Sequence, residues 1–81
     1  MGNPRPKPHR LAEKLLAIRK RLELSQLHLA QHLELPAHGD YRISEYETGR
    51  REPSLMLLLR YARAANVSVE CLIDDEMDLP L

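Results

Sequence analysis

Four histidines (His9, His28, His32 and His38) and one cysteine, Cys71, are the side chains of this sequence best suited to hold a metal or attack a substrate. His28 and His32 stand four apart, which places them on one face of a helix. A zinc protease site also needs the intervening glutamate and a third ligand, and neither follows here. Solvated histidines are the expectation. Cys71 lies in a short apolar segment and reads as a small buried hydrophobe, and a single cysteine excludes an internal disulfide framework. No nucleophile stands beside a base at useful spacing, so no enzymatic activity, metal, cofactor or small-molecule substrate is expected.

The remaining chemistry is charge. Twelve basic and twelve acidic side chains give a formal net charge of zero over 81 residues, which lacks the positive excess of a typical nucleic-acid binder. The distribution is uneven. Residues 1–23 carry +5, residues 24–53 carry −2 and residues 54–81 carry −3. Potentials act locally because the Debye length is about 8 Å at physiological salt, so a basic face can operate on a neutral chain. No apolar run reaches the roughly 20 residues of a bilayer span, and no signal peptide opens the chain. A cytoplasmic protein without membrane contact is expected.

The elements that position these charges are short helices. Pro4, Pro6 and Pro8 keep residues 1–9 extended, as a flexible basic arm. Leu11, Leu15, Ile18 and Leu22 form the stripe of a first amphipathic helix. Ser25 caps a second, with Leu27, Ala30 and Leu33 inward and Leu29 between. Pro36, Gly39 and Asp40 mark a break. A third helix starts near Asp40 or Tyr41, buries Ile43 and Tyr46, and ends at Gly49 in the left-handed conformation that glycine adopts readily. Ser54 caps a fourth, with Leu55, Leu58, Leu59, Ala62 and Ala65 inward. Ser68 caps a fifth, with Val69, Leu72 and Ile73. No strand alternation is visible. The fold class is all-α with five helices, dividing as an arm (1–9), a domain (10–73) and an acidic tail (74–81).

The order Arg19, Leu24-Ser25-Gln26, Leu29-Ala30, Ile43-Ser44-x-Tyr46-Glu47-x-Gly49-Arg50-Arg51-x-Pro53-Ser54 and Tyr61-Ala62-x-Ala64 resembles the Cro/CI-like helix-turn-helix family of phage repressors and bacterial regulators. The resemblance runs from Leu11 to about Ile73. Two departures stand out. Glu23 and Glu34 occupy positions where the family usually has glycine, so those turns are strained or the helices end differently. Seven residues separate Leu35 from Ile43, which enlarges the turn before the third helix.

The resemblance implies double-stranded DNA as the partner, with the third helix in the major groove. Its exposed face would then be Asp40, Tyr41, Arg42, Ser44, Glu45 and Thr48. Arg42 would pair with guanine and Tyr41 would touch a thymine methyl or a phosphate. Ser44 would join them. Glu45 would either accept from cytosine or stand as a solvated charge, and Asp40 would either face DNA or cap the helix. Gln26, Arg50 and Arg51 would contact phosphates, unless Glu52 pairs with one of the arginines. Arg19 and Glu47 would form a salt bridge between the first and third helices. A homodimer on a two-fold operator is expected, joined through the fourth and fifth helices and the tail residues Met77, Leu79 and Leu81. The competing expectation is a protein-interaction module on the same fold, an antitoxin or adaptor with weak or no specific DNA binding. The acidic residues around the third helix favour it.

Overall fold

Three serines set where helices begin. Ser25, Ser54 and Ser68 each accept a hydrogen bond from the backbone N–H three residues on: His28 (3.0 Å), Leu57 (3.2 Å) and Cys71 (3.3 Å). Each satisfies one of the free donors of a first turn. The computed structural model describes residues 7–81, and those residues contain α1 (Leu11–Leu22), α2 (Gln26–His32), α3 (Gly39–Glu47), α4 (Leu55–Ala65) and α5 (Val69–Ile73), with no strand among them. The fold is the all-α, five-helix arrangement. The expectation for the arm at Pro4, Arg5 and Pro6 lies outside the described residues.

Leu15, Ile18, Leu29, Ile43, Tyr61 and Leu72 are fully buried and draw all five helices onto one core. α2 packs chiefly on α3, while α1 lies across α3, α4 and α5. Two inward assignments need correction. Leu27 is 50% exposed, because a residue two positions from Leu29 points roughly 200° away from it at 3.6 residues per turn. Leu55 is 82% exposed. It sits at the first position of α4, and Leu57, Leu58, Tyr61 and Ala62 form the buried face instead. Ile73, at the end of α5, is also exposed.

Glu23, Glu34 and Asn66 all adopt the left-handed conformation, with φ of 58°, 61° and 57°. Each closes a Schellman motif, in which the next residue's N–H reaches back five positions: Leu24 to Arg19 O (3.3 Å), Leu35 to Ala30 O (2.9 Å) and Val67 to Ala62 O (2.9 Å). Those next residues pack against the core. Burial of Leu24, Leu35 and Val67 thus sustains a backbone that non-glycine residues adopt at a penalty. α3 closes in the same pattern at Gly49 (φ 77°), with Arg50 N donating to Glu45 O at 2.9 Å. There the following residue is an exposed arginine, and glycine removes the penalty that core burial offsets elsewhere.

In the enlarged turn the left-handed residue is His38 (φ 67°), which occupies the N-cap of α3 without a side-chain cap. Asp40 is therefore not the cap; it lies in the first turn of the helix. Gly39 is the first helical residue and is buried. A Cβ at that position would stand 2.8 Å from the Cβ atoms of both Ala30 and Leu35. The glycine serves close approach of α3 to α2.

α1 begins at Arg10 with no side-chain cap of its own. The cap comes from the other end of the chain: the Asp75 carboxylate accepts from His9 N (2.9 Å) and Arg10 N (3.0 Å). These two backbone donors hold the Asp75 carboxyl below its usual range. Lys14, only 2% exposed, donates to the carbonyls of Cys71 (2.8 Å), Asp74 (2.8 Å) and Met77 (2.7 Å). An ammonium has three N–H donors, and here two go to carbonyls at the C-terminal end of α5 and the third to Met77 in the tail beyond it. Arg10 adds bonds to Asp75 O (2.9 Å) and Asp78 Oδ1 (2.8 Å). Residues 74–81 are in this way tied back onto α1, and Leu79 packs against the core.

Candidate nucleic-acid interface

One ion pair joins α1 to α3. Arg19 of α1 donates from Nε to Glu47 Oε2 (2.6 Å) and from Nη2 to Glu47 Oε1 (3.1 Å). The pair is bidentate, and the planar fork fixes the distance and rotation between α1 and α3. The Arg19 side chain is 19% exposed and that of Glu47 5%. A third Arg19 bond, Nη1 to Leu24 O (3.1 Å), holds the α1–α2 turn. The Glu47 hydrogen bonds raise the Arg19 pKa above its ordinary value. Gln26, the first residue of α2, donates from Nε2 to Glu47 Oε1 at 3.1 Å. One carboxylate on α3 therefore joins α1 and α2. Tyr61 lies fully buried nearby, its phenol pKa raised mainly by burial, and its hydroxyl finds no hydrogen-bond partner among the described residues.

With its inner face held in this way, α3 turns Tyr41 and Arg42 outward. Tyr41 is 67% exposed, among the most exposed large apolar side chains described. Arg42 is exposed as well, and Ser44 is partly exposed one position beyond Ile43. Thr48 is occupied internally, its hydroxyl donating to Ser44 O (3.0 Å). Glu45 is not a solitary solvated charge. Its Oε1 accepts from Arg51 Nε at 3.1 Å and lies 4.0 Å from Arg42 Nε.

Arg50 and Arg51 follow Gly49 and are both exposed. Lys7, Pro8 and His9 border the same groove as Gly49, Arg50, Arg51 and Pro53, so the root of the basic arm and the α3–α4 loop share one edge. His28 and His32 are exposed on α2, and no group of three or more potential metal ligands exists among the described residues. Cys71 is buried and reduced, within 3.2 Å of the Ser68 hydroxyl. No described helix is long and apolar enough to cross a membrane.

The structure brings Gln26, Glu47 and Arg19 together, and separately Arg42, Glu45 and Arg51. Two features escaped the reading of the sequence. Lys14 lies in the first helix's apolar stripe between Leu11 and Leu15, and a charge at a core-facing register was the available signal. The Asp75 cap carried no local signal, since its partners are 66 and 65 residues away.

A helix held from behind by a bidentate ion pair, with a shorter helix packed across it and an enlarged turn between, defines a helix-turn-helix domain. The family profile described as helix-turn-helix matches residues 15–70, and the chain belongs to that family. It is of the Cro/CI-like phage-repressor type, a class of DNA-binding transcription regulators rather than of enzymes. Among solved structures, the P22 c2 repressor protein, crystallised in complex with synthetic operator 9T in the presence of Tl+, superposes with a TM-score of 0.70 at 26% identity. The match covers 80% of this chain and 94% of that one. Curated protein sequences give no match.

Proposed function

We propose that this protein is a sequence-specific transcriptional repressor that binds a two-fold operator in double-stranded DNA as a homodimer and occludes a promoter. The observation that carries the reading is the exposure of Tyr41 and Arg42 on the first turns of a helix locked from behind by Arg19, Glu47 and Gln26. The likeness to an operator-bound repressor supports the same docking. With α3 in the major groove, Arg42 pairs with guanine O6 and N7, Tyr41 contacts a thymine methyl or a phosphate, and Ser44 reaches a base edge. Arg50 and Arg51 meet phosphates, joined by Lys7 from the same groove edge. Gln26 donates one amide hydrogen to Glu47 and keeps the second for a phosphate.

A dimer brings two such helices to half-sites one turn of DNA apart. Leu79 is committed to the core, so the apolar surface for this contact comes from Leu55 and Ile73, which flank one groove, with Leu81. The expected setting is the cytoplasm, where a bacterial or phage operator lies.

Fluorescence anisotropy on duplexes selected from a random pool, repeated across salt, tests the proposal. Affinity falls steeply with salt if phosphates are neutralised. Arg42→Ala loses discrimination at one base position, about 1–3 kcal/mol, whereas Arg50→Ala weakens all sequences alike. Failure to enrich any sequence, with flat micromolar binding, favours the second reading, a protein-interaction module. The observation behind that alternative is the excess of acid within α3, which contains Asp40, Glu45 and Glu47 against the one basic residue Arg42.

A further inference from the structure

Glu45 holds an arginine that the DNA reading assigns to phosphate. Its Oε1 accepts from Arg51 Nε at 3.1 Å, and Arg42 Nε lies 4.0 Å from the same oxygen. The Glu45 side chain is 22% exposed against 47% for Arg51 and 52% for Arg42. The carboxylate is thus set back between two more exposed guanidiniums, one at the start of the recognition helix and one in the loop after its end. A carboxylate oxygen receiving a guanidinium N–H has the geometry and charge of a phosphate oxygen receiving the same group. Among the described residues, the side-chain hydrogen bond of Arg51 goes to Glu45.

We propose that Glu45 is an intramolecular stand-in for a DNA phosphate, which occupies Arg51 in the free protein and suppresses binding to non-specific DNA. The inference rests on the DNA-binding reading above and adds a regulatory element to that site. Exposed ion pairs are weak, typically below about 1 kcal/mol, so Glu45 does not prevent binding. It competes. Arg51 must leave Glu45 to reach a phosphate, and the released carboxylate then faces the polyanion within a Debye length. For a chain of zero net charge, this keeps backbone attraction low and leaves base contacts a larger share of affinity. It also gives the acid on α3 a role inside a DNA-binding surface.

The magnitude follows from counterion release. One additional phosphate contact steepens the slope of log K against log salt by about 0.9. Taken relative to 1 M salt, where the counterion-release contribution vanishes, that corresponds to a gain of about five-fold in affinity at 0.15 M salt and about fifteen-fold at 0.05 M. Glu45→Gln keeps the size and an acceptor for Arg51 but removes the charge. Its expected effect on a scrambled duplex is tighter binding by these factors, with the steeper slope. In an Arg51→Ala background, Glu45→Gln is expected to give a smaller gain, the part that comes from removing a carboxylate beside the polyanion, because no arginine is released.

The experiment is anisotropy on a selected and a scrambled duplex of equal length, for the full chain and for Glu45→Gln, Arg51→Ala and the double variant, at four salt concentrations. Circular dichroism and thermal melting of every variant accompany it, and Glu45→Ala provides a second removal of the charge. Tighter scrambled-DNA binding and a steeper slope, both larger with Arg51 present than in the Arg51→Ala background, support the proposal; equal gains in the two backgrounds overturn it. Two further outcomes overturn it while leaving the DNA reading intact: Glu45 variants that bind scrambled DNA as the wild type does, and variants that bind it more weakly, which makes Glu45 a support for Arg51. A wild-type protein with no salt-dependent binding to either duplex overturns both.

Discussion

Glu23 and Glu34 are the positions where this chain departs from its family's glycines, and both residues carry the backbone strain that the departure implies. Their φ values of 58° and 61° place a Cβ where it crowds the carbonyl oxygen, at about 1–2 kcal/mol per residue. Both side chains are exposed, and neither makes a side-chain hydrogen bond or ion pair among the described residues, so replacing them removes no packing. Glycine relieves the strain but raises the entropy of the unfolded chain by about 0.5–1 kcal/mol. The expected net gain is about 0.5–1 kcal/mol for Glu23→Gly or Glu34→Gly. For a domain of this size that raises Tm by about 2–8 °C. The two turns share no hydrogen-bond partner, so the double variant gains the sum. Alanine is the control, because it removes the charge from a helix's negative end while keeping the Cβ and the strain. Asn66→Gly gains less, since asparagine tolerates this conformation better. Thermal and urea melts followed by circular dichroism measure the series. Glycine variants no more stable than their alanine counterparts would refute the strain argument.

Three further outcomes are expected. Lys14→Met removes three charge-assisted bonds to the carbonyls of Cys71, Asp74 and Met77. It lowers unfolding free energy by about 2–4 kcal/mol in urea titrations, and amides of residues 75–79 exchange faster. Gly39→Ala forces a methyl to within 2.8 Å of two Cβ atoms; it costs about 1–3 kcal/mol of stability and, by displacing α3 from α2, weakens operator binding in anisotropy. Asp75 has a folded pKa below its ordinary 3.8 because His9 N and Arg10 N bond its carboxylate. Its contribution is complete above pH 3.8 and fades as pH falls through the lower folded value. Urea midpoints measured from pH 2 to 7 should therefore fall less steeply below pH 3.8 in Asp75→Asn than in wild type.

Much of the fold was legible because its signals are local. A serine followed by an apolar run is a helix start whatever surrounds it, and Ser25, Ser54 and Ser68 cap the helices expected of them. The spacing of Leu11, Leu15 and Ile18 shows one buried stripe. Ends and phases were less legible. Leu27 and Leu55 match a helical spacing as well as their buried neighbours do, and only the position of the core decides between Leu27 and Leu29. His38, rather than Gly39, adopts the left-handed conformation before α3, because the glycine is needed where α3 touches α2. For the candidate interface, the resemblance to the helix-turn-helix family singled out Arg19, Glu47, Gln26, Arg42 and Arg51. Their partnerships depend on side chains meeting across helices. Gln26 meets Glu47 from another helix, and Glu45 reaches Arg51 across the end of its own.

The sequence by itself determined the number of helices, the starts of the three with serine caps and most of the core, since each follows from neighbours within a few residues, and the order of its motifs determined the family. It also determined the split of charge along the chain. Tertiary structure decided what that charge does. Arg10 and Lys14, two members of the basic first segment, are bonded to the acidic end of the chain, and Arg19 is bonded to Glu47. Lys7, Lys20, Arg21, Arg50 and the Arg42–Arg51 pair around Glu45 remain at the surface. The physical reason is that a charge has no fixed partner in an extended chain. Folding brings residues more than 50 positions apart within hydrogen-bonding distance and leaves the rest to face solvent or DNA.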